Sequence, residues 1–170
     1  MNSRIVALCI LLIRLCFIDA SARPVHHYVF FNRDRERIHD KSFLETKAFE
    51  GAQIKYTWRE LEPEKDVYDF SAIRSDLAFL TSQGKKLFIQ LQDSSFDPST
   101  ILVPRYLLQD KIYNGGAEQQ YDEEKARREG WVARRWDVAV EERFHKLLFA
   151  LGKEFDGKIE GINLAETSIG

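Results

Sequence analysis

The spacing of hydrophobic positions changes several times along the chain, and each change marks an element. Residues 25–32 (VHHYVFFN) are dense in β-branched and aromatic side chains and predict a first strand. In 33–51, Ile38, Phe43, Leu44 and Phe49 offer an apolar face to a helical stretch that ends at Gly51. Residues 52–58 (AQIKYTW) predict a second strand. Ser71 then reads as the N-cap of a helix over 72–83, with Ile73, Leu77 and Leu80 at i, i+4 and i+7 and Gly84 as the stop. Lys86–Gln92 (KLFIQLQ) predicts a third strand. The clearest helix follows Asp137 as its cap. Val140, Phe144, Leu147, Leu148, Leu151 and Phe155 form its stripe, and Asp156 and Gly157 close it. Residues 159–164 predict a fourth strand, with Glu166 at its exit.

Strands alternating with helices imply right-handed crossovers and a parallel sheet, an α/β fold. A nucleotide-binding doubly wound sheet needs a glycine-rich turn after its first strand, and FFNRDRER has no glycine there. A (β/α) TIM-type barrel accommodates the long excursion at 93–136, because such barrels place their chemistry in the loops after the strands. A closed barrel takes eight units and about 250 residues. Four βα units therefore predict an incomplete, half barrel with two open sheet edges. Self-association or a C-terminal half-barrel would complete it.

Composition narrows this picture. The 170-residue sequence is 44% hydrophobic, enough for one core. Residues 1–22 stand apart: MNSR, then the apolar run IVALCILLIRLCFI, then Ala20, Ser21 and Ala22 have the order of a secretory signal peptide cleaved after Ala22. Arg14 interrupts the run, so no stable membrane span of about 20 apolar residues is expected once the leader is cut. The expected location is secreted or periplasmic, with residues 23–170 as the mature domain. Cys9 and Cys16 both lie in the leader, so no disulfide or thiolate–metal scaffold is possible in the mature domain, which must hold together by ordinary packing. The net charge of −2 is made of mixed charges, with RDRER balanced by the acids of 60–66, and no basic stripe supports nucleic-acid binding. His26 and His27 are adjacent on a strand and point to opposite faces, while His39 and His145 are isolated. No metal site or cofactor motif follows from their spacing.

Candidate chemistry concentrates at strand ends. In the third strand Leu87, Ile89 and Leu91 share one face, and Phe88, Gln90 and Gln92 the other. Amides at the carboxyl end of that second face both donate and accept hydrogen bonds, which suits sugar hydroxyls. Trp58, followed by Arg59, Glu60 and Glu62, offers a flat ring to a sugar or plugs the space beneath the YDF segment. Trp131 and Trp136 flank ARR and either wall a cleft or anchor the excursion. Glu166, partly desolvated at a strand end, suits a general acid. Glycosidic cleavage also needs a second carboxylate, about 5–5.5 Å away for retention of configuration. Glu60, Glu62 and Asp93 are available, though none is well placed to lie opposite. Strict alternation puts Gly161, Asn163 and Ala165 on one face and Ile162, Leu164 and Glu166 on the other. Asn163 then points inward, and Glu166 does so only if the strand bulges.

The order of Trp58, Glu62-Pro63, Tyr68-Asp69-Phe70-Ser71 and the GKKLFIQLQ strand resembles the first half of barrel-fold glycoside hydrolases, in the clan with catalytic glutamates on strands four and seven. The resemblance extends over about residues 25–170. It implies a barrel fold, a carbohydrate or glycoside substrate, and Glu166 as acid/base, with Asn163, Gln90, Gln92, Trp58, Arg59 and Trp136 around the substrate. Two departures stand out. Ala165, not asparagine, precedes Glu166, and the strands that would carry the nucleophile are not in the sequence. Little or no hydrolysis is expected of the chain by itself. The alternative is a non-catalytic carbohydrate-binding or interaction module.

Overall fold

A computed structural model describes residues 25–122 and 126–165; the proposed leader and Glu166 lie outside the described residues. The strands are β1 (Tyr28–Asn32), β2 (Gly51–Thr57), β3 (Lys86–Gln92), β4 (Ser94–Ser95), β5 (Ala117–Asp122), β6 (Arg127–Ala133) and β7 (Gly161–Leu164). The helices are α1 (Lys41–Glu45), α2 (Trp58–Leu61), α3 (Ser71–Ser82), α4 (Arg105–Gln109) and α5 (Val138–Phe155). A four-stranded parallel sheet runs β1-β2-β3-β7, and a smaller antiparallel sheet runs β4-β6-β5. The fold is α/β, and the described residues do not close a barrel.

Strand order in the parallel sheet follows chain order without a reversal, so right-handed crossovers bring the long helices to the same face. That face is apolar. Ala52, Ile54 and Tyr56 of β2 and Leu87, Ile89 and Leu91 of β3 are buried with Ile73 and Leu80 of α3 and Val140, Leu147 and Leu151 of α5. Asp137 caps α5 by accepting from the Ala139 amide at 3.0 Å, and Gly157 at φ +70° ends the turn beyond it.

Four expectations are corrected. Residues 33–50 form a 3-10 turn (Arg35–His39) and the short α1 instead of one helix, because Ile38, Phe43, Leu44 and Phe49 do not repeat at helical spacing. Extended backbone at Asp40 separates the two pieces, and Arg35 forks onto buried Asp76 of α3, whose carboxylate also accepts from the Tyr56 hydroxyl at 2.6 Å. Ser71 is not the cap of α3: it lies inside the helix, and its amide donates to the Asp69 carboxylate at 2.9 Å. Trp58 does not end β2 but begins α2. Thr57 and Glu60 form a reciprocal capping box there and turn the chain. The excursion is not mainly loop, since β4, β5 and β6 make a sheet of their own immediately beyond β3.

The arrangement is pinned by a buried ion pair. Glu62, after α2, and Arg143, within the stripe of α5, are both buried and bonded to each other. The Trp58 ring N–H donates to Glu62 at 2.9 Å, and Arg143 also donates to the Tyr106 hydroxyl at 2.9 Å and to Asp66 at 2.7 Å. Burial pushes the Arg143 pKa down, but hydrogen bonds to Asp66, Tyr106 and Glu62 outweigh it and the net direction is up. Replacing Arg143 with methionine strands a buried carboxylate and is expected to cost about 3–5 kcal/mol in urea unfolding. The Glu62→Gln/Arg143→Met double variant is expected to lose clearly less than the sum of the two single losses.

Candidate functional site

The other face of the parallel sheet carries the polar residues. Register aligns Phe30, Gln53, Phe88 and Gly161 in one row and Lys55, Gln90 and Asn163 in the next; Thr57 and Gln92 lie beyond, at the carboxyl end. Neighbours in register share a face, so these rows form one surface. Below them, at the amino end, the Tyr28 hydroxyl donates to Glu160 at 2.8 Å, and Lys86 lies 3.3 Å from the same carboxylate. Burial first, and then Glu160, push the Tyr28 pKa up.

In the middle rows amides predominate. Gln53 reaches across β3 and donates to the Asn163 side-chain oxygen at 3.0 Å. Gly161, level with Gln53, leaves the Phe88 ring its place: a Cβ there would stand 3.1 Å from the ring edge. Gln92 is 7% exposed and donates to the Ser94 carbonyl at 3.0 Å. The side-chain oxygens of Gln90 and Gln92 are buried and accept from no group among the described residues. Buried acceptors of this kind carry a free-energy cost, and a ligand hydroxyl reaches these oxygens only if the side chains turn.

The residues singled out from sequence divide accordingly. Asn163 and Gln90 lie in one row, half-buried, and Gln92 lies one step beyond. Trp58 is wholly buried, edge-on to Phe144 at 5.1 Å between ring centres, and so acts as a plug with no face open to a ligand. Arg59 secures the excursion: its amide donates to the Leu102 carbonyl at 2.9 Å and its Nε to the Val103 carbonyl at 2.8 Å. Trp136 is 61% exposed, with the Arg134 guanidinium over its ring, whereas Trp131 is tied to the Pro98 carbonyl at 2.9 Å.

Two of the three candidate second carboxylates accept hydrogen bonds, and the third is buried. Glu60 accepts from the Thr57 amide and hydroxyl, and Glu62 belongs to the pair with Arg143. Asp93 is buried, with Arg135 Nε 3.0 Å from its Oδ2 but off the direction of a hydrogen bond. Among the described residues, no group of three His, Cys, Asp or Glu side chains is placed to hold a metal ion. Sequence reading missed Gln53 and Lys55. The alternation of Ala52, Ile54 and Tyr56 with Gln53, Lys55 and Thr57 along β2 was the signal for both.

Burial pushes the Asp93 pKa up against the pull of Arg135, so the folded state holds this proton to higher pH than the unfolded chain does. The carboxylate then costs stability as pH rises from about 3.8, the ordinary aspartate value. Compared by urea unfolding across that range, Asp93→Asn is expected to gain on the parent with rising pH.

No protein-family model matches the sequence, and no curated protein matches it. Among solved structures, the catalytic domain of a β-amylase from Paenibacillus polymyxa is similar with a TM-score of 0.61 at 13% identity, over 82% of this chain and 36% of that one. A GH5_18 protein from Bifidobacterium longum subsp. longum, solved as a variant in complex with Manβ1-4GlcNAc, gives 0.53 at 10% identity, over 83% of this chain and 33% of that one. The chain thus spans about a third of the length of these two structures. At such identities the likeness is one of fold: the chain shares its α/β architecture with part of these barrel glycoside hydrolases.

Proposed function

We propose that the chain provides four βα units of a glycoside-hydrolase-type barrel, a half barrel, and recognises carbohydrate at the carboxyl ends of β2, β3 and β7. The observation that carries this reading is the amide surface. Gln53, Gln90, Gln92 and Asn163 gather on one face of the sheet, two of them with buried oxygens that lack a donor among the described residues. Neutral donors and acceptors held on rigid strands suit the hydroxyls of a sugar ring. The fold likeness adds support, since both similar structures have glycoside-hydrolase barrels and one of them holds a disaccharide.

In a completed barrel Glu166 would serve as general acid/base, with Asn163, Gln90 and Gln92 ordering hydroxyls and Trp136 offering an aromatic wall. Trp58 and Arg59 would act indirectly, by holding α2 and the excursion in place. Recognition without hydrolysis is the reading we favour for the chain by itself. Glu60 and Glu62 each accept hydrogen bonds within the protein, and Asp93 is buried beside Arg135, which argues against each of them as the second carboxylate. We further propose that residues 1–22 direct export and are removed, placing the domain in a secreted or periplasmic setting.

Glycan binding measured by calorimetry is expected to weaken about fivefold to tenfold in Asn163→Ala and in Gln90→Ala, the loss of one or two hydrogen bonds, and to survive Glu166→Gln. Aryl glycosides are expected to show no turnover; turnover that disappears in Glu166→Gln would instead establish hydrolysis. Sequencing the exported protein is expected to find Arg23 as its first residue.

A further inference from the structure

Lys55 is the charged residue in the middle rows of the amide surface, and it has no carboxylate partner among the described residues. Its strand neighbours in register are Gln90 on β3 and, beyond that, Asn163 on β7. The ammonium lies over the Phe30 ring, 5.4 Å from its centre, and the side chain is half-buried. Nearby carboxylates are spoken for: Glu50 and Glu160 serve the amino end of the sheet with Lys86 and Tyr28, Glu60 caps α2, and Glu62 binds Arg143. Among the described residues, the charged group that acts on Lys55 is another cation, Arg33 in the loop after β1. Arg33 also lies within electrostatic reach of Asp97, whose carboxylate accepts from Ser99 and Thr100.

From this arrangement we infer that the sugar recognised at this face bears an anionic substituent, a carboxylate or a sulfate ester, that pairs with Lys55 while the amides hold its hydroxyls. The inference rests on the carbohydrate reading above and narrows its substrate class. Its physical basis is an unsatisfied field. Burial first, and then Arg33, disfavour the Lys55 charge, and an anion entering the row relieves both. A half-desolvated ammonium flanked by neutral amides also gains more from an anion than an exposed lysine does, because the effective dielectric there is lower. Neutral sugars satisfy the amide oxygens and leave the ammonium as it was.

The test is calorimetric titration of the full chain with matched glycans that differ only at C6: hydroxymethyl, carboxylate or sulfate ester. The acidic members are expected to bind about tenfold or more tighter than the neutral one. That preference is expected to vanish in Lys55→Met and to persist in Lys55→Arg. The sulfate and carboxylate arms identify which anion the face accepts. Equal binding of neutral and acidic members would overturn the inference and leave the carbohydrate reading standing. An acidic preference unchanged in Lys55→Met would also overturn it. Binding of none of the glycans would overturn the carbohydrate reading and the inference together. A cooperative melt of each variant checks folding, and Lys55→Gln replaces Lys55→Met if the latter does not fold.

Discussion

The contact between Glu62 and Arg143 sets the terms for much of the molecule. Two opposite charges are buried together, and each is tolerable only because the other is present. The pair joins the chain after β2 to the long helix before β7, so it fixes how two successive crossovers sit against the sheet. Trp58 reaches the pair from α2, Tyr106 from α4 and Asp66 from the connecting loop. Asp66 adopts φ +62°, a left-handed conformation that aspartate tolerates better than most residues, and its amide donates to Glu62. The excursion is thereby built into the framework. Tyr106 contributes to the clamp and Arg59 binds the segment leading to it, so this region cannot detach without uncovering a charge.

That framework separates the two faces of the parallel sheet. The helices cover the apolar side, where Ile54, Leu87, Ile89 and Leu91 are fully buried. The opposite side receives amides, a lysine and the rings of Phe30 and Phe88, and half-exposed Phe30 marks how open it is. A sheet whose inner layer is half-buried and polar is poor as a core and well suited to a ligand. Rigid strands hold the amides in register, whereas loops would have to pay for ordering them on binding.

Much of this was legible because strand alternation is local. The two faces of β3, the inward position of Asn163 and the Asp137 cap follow from neighbours within a few residues, and the structure has all three. The same rule applied to β2 reveals Gln53 and Lys55. What sequence could not show depends on distant partners. Arg143 sits in the apolar stripe of α5, and nothing in its vicinity predicts burial, since its partner Glu62 is 81 residues away. Trp58 reads equally well as a sugar platform or a plug until Phe144 and Glu62 are placed beside it. The β5–β6 hairpin is masked by polar composition: AEQQYD and RREGWVA pair with each other and present few apolar positions for a period to act on. Ser71 and Asp69 are both good capping residues two positions apart, and only the observed hydrogen bond separates them.

The carboxylates argue most directly about function. Cleaving a glycosidic bond calls for two acidic groups free to face the sugar, one to give a proton and one to act as nucleophile or base. In this chain the acids near the carboxyl ends of β2 and β3 are committed to structure: Glu60 to a helix cap, Glu62 to an arginine, Asp93 to a buried position beside Arg135. Freeing Glu60 or Glu62 would undo a cap or strand an arginine, so these two are not reserves awaiting a substrate. Among the described residues, what remains in the middle rows of the inner face is neutral or cationic. On the carbohydrate reading proposed above, such a surface would order hydroxyls and attract an anion, and proton transfer would fall to groups outside these rows.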